Sequence, residues 1–428
     1  MDPGSRSTGI ATSTMEAELS AIVTPVRVRV AGPGDRVAGL QPQLVVEPAN
    51  ELEVAKVLKF ANDAGLAVIP RGGGTKLEWG NAPRRADVVL STKRINNVVE
   101  HAWADLTVTV EAGCTILQLA ETLGQRGQRL ALDVLWPEEA TVGGVLSTND
   151  SGSRRLRFGS LRDLVIGMTL ALPDGTLAKS GGKVVKNVAG YDLPKLATGA
   201  FGTLGVITRA VFRLHPAPRF GKSLSFQVQS PEQVQELFSA VQNSKLAHTS
   251  LQVRVASDSR AEVDIVLEGT EAGVNAQEKQ LLALVGAPYA PPFPAKIWIA
   301  RTDLWSNPDT VGAIARISVL PAAISAAIQF VDHVAKSREI RWRAVLQATG
   351  LGCVRIDGPP ESQREMFEEL RAHLQRSGGS VVILRRPEGM GSLDAWGDAG
   401  DALPLMRAVK QQFDPKNTLN PGRFVGGI

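Results

Sequence analysis

The stretch Val68-Ile-Pro-Arg-Gly-Gly-Gly-Thr-Lys-Leu-Glu-Trp-Gly-Asn81 ends an apolar strand with three consecutive glycines beside an arginine. Without Cβ atoms, Gly72, Gly73 and Gly74 can take positive φ and gather successive N–H groups into one concavity, a shape that receives the oxygens of a diphosphate. A second glycine-rich segment, Thr141-Val-Gly-Gly-Val-Leu-Ser-Thr-Asn-Asp-Ser-Gly-Ser153, follows later. Two such loops in one half of the chain point to a dinucleotide gripped from both sides. Alone, the first also reads as a surface turn, and Gly143-Gly144 as a helix start or a close-packing pair. Two familiar nucleotide loops are excluded. A Walker A loop fails at Gly182-Lys183, where Leu177 stands in place of the first glycine and Val184 follows the lysine. A Rossmann fingerprint fails because Leu77 stands where the third glycine belongs.

The flanks read as α/β. Gln43–Glu47 is a strand, and Asn50 with Glu53 opens a helix placing Val54, Val57, Leu58 and Ala61 on one face. Strands follow at Ala67–Ile69, Asp87–Leu90 and Leu106–Glu111, then an amphipathic helix with Leu117, Leu119, Ala120 and Leu123. Pro173-Asp174-Gly175 turns a hairpin, and a strand over 205–214 is broken by His215-Pro216-Ala217-Pro218. Beyond it the order changes. Residues 314–385 read strand, helix, two paired strands, helix, strand, the ferredoxin-like order, and 223–284 start the same way, so a duplicated unit forming one broad antiparallel sheet is expected.

Composition narrows the class. The 428 residues are 43% apolar and 21% charged, enough for two or three domains with real cores. A net charge of +4 comes from scattered basic residues, which argues against nucleic acid and suits an anionic cofactor or substrate. Two distant cysteines, Cys114 and Cys353, build no disulfide framework, iron–sulfur cluster or zinc ribbon. They suit a reducing compartment. No apolar run reaches the ~20 residues of a membrane span. The first 14 residues read as a disordered tail, or as an upstream start before Met15.

Six stretches carry a family resemblance: Pro70–Thr75, Pro137 with Thr141–Gly144, Ser151–Gly159, Lys186–Leu193, Gly199–Thr208 and Phe413–Arg423. In this order they resemble the FAD-binding PCMH-type flavoproteins of the vanillyl-alcohol oxidase fold, and among these the smaller flavin subunits of bacterial glycolate oxidases. The resemblance implies an α+β protein: a two-subdomain PCMH-type FAD-binding domain followed by an antiparallel-sheet, ferredoxin-like cap domain. The divisions expected are a disordered tail at 1–24, the FAD-binding domain at 25–217, a substrate or cap domain at 218–390, and a C-terminal helix and tail at 391–428 docked on the FAD domain. It implies cofactor contacts from Arg71, Gly72, Gly73, Gly74, Thr75 and Lys76. Pro137, Thr141, Gly143, Gly144, Ser147, Thr148, Ser151, Gly152 and Ser153 form the second implied set, with Val206 and Ile207 at the adenine and Asn420 closing over it. Where some relatives attach flavin through a histidine this chain has Thr75, so noncovalent FAD is expected.

The larger relatives that oxidise D-2-hydroxy acids carry a His-x-Gly-Asp-Gly-Asn-x-His-type motif. It is absent here, and the five histidines stand apart. No metal ligand set and no catalytic residue is therefore assigned. The implied activity is a part in oxidising glycolate or a related 2-hydroxy acid, with hydride transfer to flavin. The alternative is an FAD-binding structural or electron-relay subunit without substrate chemistry. The implied partners are a larger FAD-binding catalytic subunit and an iron–sulfur subunit, in the cytoplasm, with any membrane association coming through them.

Several side chains remain open between roles. Arg154, Arg155 and Arg157 read as a solvated turn or as neighbours of a carboxylate, and Asn420 with Arg423 as a cofactor lid or a structural clasp. Tyr191 reads as a packed, hydrogen-bonded residue, His215 as a strand end, Cys114 as buried, and Trp79 as a shield beside the loop. The later tryptophans read as core or subunit contacts.

Overall fold

The Asn50 side chain accepts the amide of Glu53, and the Glu53 carboxylate reaches back to the amide of Ala49 at 2.7 Å. These two bonds start a helix at Glu51, and its apolar face, Val54, Val57, Leu58 and Ala61, is buried as the spacing requires. A computed structural model of the chain describes residues 10–182, 191–286, 293–294, 297–306, 312–391 and 393–428.

The first layer comprises α1 (Thr12–Val23), β1 (Val28–Val30), β2 (Leu44–Val46), α2 (Glu51–Asp63), β3 (Val68–Arg71) and β4 (Val88–Ser91). The strands lie in the order β1-β2-β4-β3, with β2, β4 and β3 parallel and β1 antiparallel to β2. Helix α1 corrects the expectation of a disordered tail over its own span, Thr12–Val23; residues 1–9 lie outside the described residues. Met15, Leu19 and Val23 recur one turn apart and enter the same core as Leu44 and Val54. Burying such side chains stabilises by about 1.5–3 kcal/mol each, which outweighs a Ser/Thr-rich composition.

The second layer holds β5 (Val98–Ala102), β6 (Thr107–Glu111), α3 (Ile116–Gly124), β7 (Gln128–Arg129), α4 (Val142–Thr148), α5 (Arg155–Phe158), α6 (Leu161–Leu164), β8 (Val165–Ala171), β9 (Leu177–Gly181), α7 (Leu193–Ala197) and β10 (Val206–Arg213). Its five-stranded antiparallel sheet runs β5-β6-β10-β8-β9, and the β8–β9 hairpin closes on Gly175 at φ +89°. Helix α3 buries Leu119 and Leu123, whereas Leu117 and Ala120 point outward. His215-Pro216 does more than break β10: as β11 it pairs with β7 in a two-residue ribbon. Lys183 and Lys186 lie outside the described residues. Tyr191 is 91% exposed, so the expected packing is not found; its carbonyl accepts the Ser180 hydroxyl.

The cap is built twice. Its first half is β12 (Phe220–Val228), α8 (Pro231–Asn243), β13 (His248–Ala256), β14 (Ser259–Gly269), α9 (Glu271–Val285) and β15 (Phe293–Pro294). After the short α10 (Ala300–Asp303), the second half repeats the order as β16 (Ala313–Ser318), α11 (Ile324–Ser337), β17 (Arg341–Gln347), β18 (Leu351–Asp357), α12 (Pro360–Gln375) and β19 (Ser380–Arg385). The eight strands run β15-β12-β14-β13-β17-β18-β16-β19, all antiparallel, so each half has its first strand between its third and fourth, and the second strands join them. Helices cover one face of this sheet through a core that includes Ala313, Ala315, Ile317, Phe238 and Phe367. The other face, at Val345, Cys353 and Leu384, packs with Trp79, Leu135 and Phe201 of the first half of the chain.

Helix α13 (Leu403–Phe413) leads to a tail that returns to the first sheet. Leu419 is fully buried in a parallel bridge with Val68, whose amide and carbonyl bond Thr418 and Asn420.

Candidate functional site

Strand β3 delivers the glycines to a crevice between the two first layers, and each glycine is needed for a different reason. Only Gly74 takes positive φ, at +82°. A Cβ on Gly72 would lie 2.0 Å from Thr141 Oγ1, and one on Gly73 would lie 1.8 Å from the Glu139 carbonyl oxygen. Gly72 thus meets the Thr141 side chain and Gly73 the Glu139 backbone, and these contacts, rather than three positive φ angles, demand Gly72 and Gly73.

The crevice gathers most of the residues that the sequence singled out. Arg71, Gly72, Gly73, Gly74, Thr75 and Lys76 line it with Thr141, Gly143, Gly144, Ser147, Thr148, Val206, Ile207 and Asn420. Pro137, Ser151, Gly152 and Ser153 are not brought there. The carbonyl of Pro137 accepts the Leu117 amide, and Ser153 donates its amide to the Asp133 carboxylate at 2.7 Å. Asn149 at φ +50° ends α4 and turns the chain away, carrying Ser151 to a second cavity. Gly143 has a packing reason of its own, since its Cβ would meet that of Ala112 at 2.9 Å.

The electrostatics of the crevice favour an anion. Arg71, Lys76 and Arg423 line it, and among the described residues no aspartate or glutamate does. The Arg71 guanidinium is held by Asp35 at 2.8 Å, so that residue offers backbone more than charge. Arg423 is a clasp: it donates to the carbonyls of Leu77 at 2.5 Å and Trp79 at 2.8 Å, and burial pulls its guanidinium down to about 10. Asn420 donates to the Phe201 carbonyl at 2.6 Å, while its own carbonyl oxygen is buried without a partner. A cradle that Cβ atoms would fill, free of carboxylates, fits a dinucleotide diphosphate, and the open side-chain oxygen of Asn420 suits a hydroxyl or N–H donor elsewhere on such a ligand.

Lys76 connects this crevice to the second cavity. Its ammonium lies 3.4 Å from Asp150 and over the rings of Trp79 and Trp136, at 5.6 and 5.3 Å from their centroids. Asp150 is almost fully buried and also accepts from Arg301 of α10 and from the Leu135 amide. Burial alone would raise its carboxyl, but the charges of Arg301 and Lys76 outweigh burial and hold it below its ordinary value. Trp79 is 2% exposed and stacks on Trp305 at 5.9 Å, with Trp136 edge-on to Trp305 at 5.1 Å.

The second cavity, about 250 Å³, opens between this cluster and the bare face of the cap sheet. Trp79, Asp150, Ser151, Arg155, Arg301, Arg316, Gln347 and Cys353 contribute to its walls. Burial raises the Cys353 thiol, leaving it neutral. Elsewhere between the second layer and the cap, Arg129 grips Glu268 at 2.9 and 2.6 Å, and Arg154 lies 4.3 Å over Trp298. Arg157 stays exposed, as in a solvated turn. The histidines remain apart; His215 packs edge-on to Phe158 at 4.8 Å, and burial lowers its imidazole.

Sequence reasoning missed the Asp150–Arg301–Lys76 cluster and Arg316. The signal for Arg316 was the alternation Ala313-Ile-Ala-Arg-Ile-Ser318, which puts a charged residue in the interior of an apolar strand.

Comparison with known proteins matches residues 42–181 to a family described as FAD binding domain and residues 397–424 to FAD linked oxidases, C-terminal domain. Glycolate oxidase subunit GlcD of Bacillus subtilis is 25% identical over 90% of this chain and 89% of its own. D-lactate dehydrogenase of Archaeoglobus fulgidus is 40% identical over 41% of this chain and 39% of its own. D-2-hydroxyglutarate dehydrogenase of Xanthomonas citri is 24% identical over 90% of this chain and 89% of its own. Among solved structures, alkyldihydroxyacetonephosphate synthase superposes with a TM-score of 0.73 at 19% identity, covering 99% of this chain and 87% of that one. Substrate-bound p-cresol methylhydroxylase superposes with a TM-score of 0.72 at 16% identity, covering 96% of each.

Proposed function

We propose, from the premise that this chain is a PCMH-type FAD-binding flavoprotein, that it is the FAD-binding subunit of a glycolate oxidase complex. It is an FAD-dependent oxidoreductase acting on CH–OH groups of 2-hydroxy acids; glycolate, giving glyoxylate, is the substrate we assign within that class. The carboxylate-free cradle formed where Gly72 and Gly73 touch Thr141 and Glu139 carries this reading.

In it, the amides of the first glycine segment receive the diphosphate against the wall made by the second, whose Gly143 amide already donates to the Ala112 carbonyl at 2.8 Å; Val206 and Ile207 border the adenine, and the open side-chain carbonyl of Asn420 accepts from the cofactor. Thr75 provides no histidine for a covalent link, so FAD is held noncovalently. When bound, FAD supplies the hydride acceptor for the carbinol carbon. The protein's share is orientation: Lys76 and Asp150 fix the passage between cradle and cavity, and the Trp79 cluster excludes water. The working division of the chain is an FAD-binding part over 25–217, a cap over 218–390 and a docked C-terminal part over 391–428. A larger flavin subunit and an iron–sulfur subunit in the cytoplasm would take the electrons.

One observation favours a second reading, a flavin-bearing relay without its own substrate chemistry. Removing the hydroxyl proton needs a base, yet the one described carboxylate at the cavity, Asp150, is neutralised by two cations, and no histidine lines the cavity. The visible spectrum of the purified protein under anaerobic conditions, with glycolate added, separates the two. Bleaching of the bound flavin assigns oxidation to this chain, whereas a persisting band assigns it to the partner subunit. A protein that takes up no FAD would overturn both.

A further inference from the structure

The strand β16 alternates strictly. Ala313, Ala315 and Ile317 enter the core beneath the cap helices, so Arg316 and Ser318 point to the opposite face, toward the Trp79 cluster. There Arg316 stands beside Cys353 of β18 and Val382 of β19 in the sheet register. Across the cavity, Arg155 arrives on α5 from the second layer, where it makes a single 3.4 Å hydrogen bond to Ser151 Oγ.

Charge accounting separates these two from the other cations nearby. Asp150 is engaged by both Arg301 and Lys76, and Glu268 occupies Arg129 and reaches Arg154 at 3.7 Å. Arg316 has neither a hydrogen bond nor an ion pair among the described residues. Arg155 and Arg316 each feel a loss of charge stabilisation through burial, and the charge of Arg316 weighs further on Arg155. Two half-buried guanidiniums facing one space, whose one described carboxylate, Asp150, is already engaged by two other cations, cost free energy unless something anionic enters that space.

We propose that Arg155 and Arg316 form the receptor for the carboxylate of a small 2-hydroxy or 2-oxo acid, one arginine from each side of the cavity. The guanidinium fork matches a carboxylate in two directions. A volume of about 250 Å³ lies below the roughly 300–1,000 Å³ of drug-sized sites and suits an acid of a few carbons. Ser318 and Gln347 stand on the same wall with neutral polar groups for the second carbon. The proposal rests on the flavoprotein reading for what the cavity serves, but the binding it asserts belongs to the chain's own side chains. The site holds an acid whether or not this subunit oxidises it.

The test is calorimetric titration of the FAD-loaded protein with oxalate, a small carboxylate with no CH–OH group to oxidise, and with glycolamide, the uncharged amide of glycolate. Oxalate is expected to bind one per chain and glycolamide not to bind. Arg316→Met and Arg155→Met should each weaken oxalate by about tenfold or more, as expected for loss of a charge-assisted pair. Arg316→Lys should recover part of the affinity. Flavin content per chain and melting temperature, read on the same samples, establish that the variants are folded and loaded. Oxalate affinity unchanged in both folded methionine variants, or glycolamide binding as tightly as oxalate, would overturn the receptor. A protein that binds oxalate in this arginine-dependent way but takes up no FAD would overturn the flavoprotein reading instead.

Discussion

Replacing Gly73 by alanine adds one methyl group at the tightest point of the cradle. Its carbon would start 1.8 Å from the Glu139 carbonyl oxygen and 2.8 Å from the carbonyl carbon. The obstacle is backbone, so no side-chain rotation relieves it. To bring the closest approach to 3.0 Å, the two glycine segments must part by about 1.2 Å. A charge-assisted N–H···O bond contributes about 1.5–3 kcal/mol and does not survive a displacement on that scale. Loss of two such bonds to a diphosphate therefore weakens FAD by about 3–6 kcal/mol, a factor of ~10² to 10⁴. The assay is titration of apo-protein with FAD, followed by flavin fluorescence, beside Gly34→Ala, whose added Cβ meets nothing within 4 Å. If Gly73→Ala binds FAD within about twofold of the parent while Gly34→Ala behaves the same, the cradle does not hold the diphosphate through this contact.

Asp150→Asn removes the ion-pair partner of both buried cations, Lys76 and Arg301, and should cost about 3–5 kcal/mol in urea unfolding at pH 7. The Asp150 carboxyl is depressed in the folded protein, so its contribution is present above the ordinary carboxyl value near pH 4 and is lost as pH falls through the lower folded value. The variant should lack that part of the acid slope, and a slope identical to the parent's would contradict the cluster. Glu268→Gln converts the bidentate grip of Arg129 to neutral bonding and should lower stability by about 1–3 kcal/mol in thermal melts at fixed FAD concentration. Burial pushes the Cys114 thiol up to about 11 and raises that of Cys353, so a thiol reagent at pH 8 should find neither quickly in the native protein and both in denaturant. A fast-reacting thiol would place one of them outside the core.

Where chemistry is local, the sequence carried the fold. Asn50 and the Pro173-Asp174-Gly175 turn act through neighbours in the chain, and the doubled strand-helix order of the cap appears as the alternation implied. The cradle was legible for a related reason, since runs of glycine announce backbone contact even when the partner is unknown. That partner was not legible: Gly73 answers to Glu139, and nothing near Gly73 names it. Ser151, Gly152 and Ser153 were assigned to the cradle by continuity with Gly143, and a single left-handed residue, Asn149, redirects them toward Asp133. Helix α1 was misread because serine and threonine dominated the count while Met15, Leu19 and Val23 supplied the buried face. Arg316 and Arg155 meet only when two distant layers close on one another, so the sequence shows two arginines and the fold shows a pair.

The clasp made by Arg423 has a consequence for how the protein is made. It grips the carbonyl of Leu77 across 346 residues of chain. On the ribosome the glycine loop emerges long before the segment that secures it, with the whole cap synthesised in between. A nascent chain that has not yet reached Arg423 is expected to hold an open loop and to retain flavin poorly, which stalled chains of graded length would report. Stable cofactor uptake becomes an event that follows translation of the cap, and the yellow colour of a preparation reports the fraction of molecules whose distant ends have found each other.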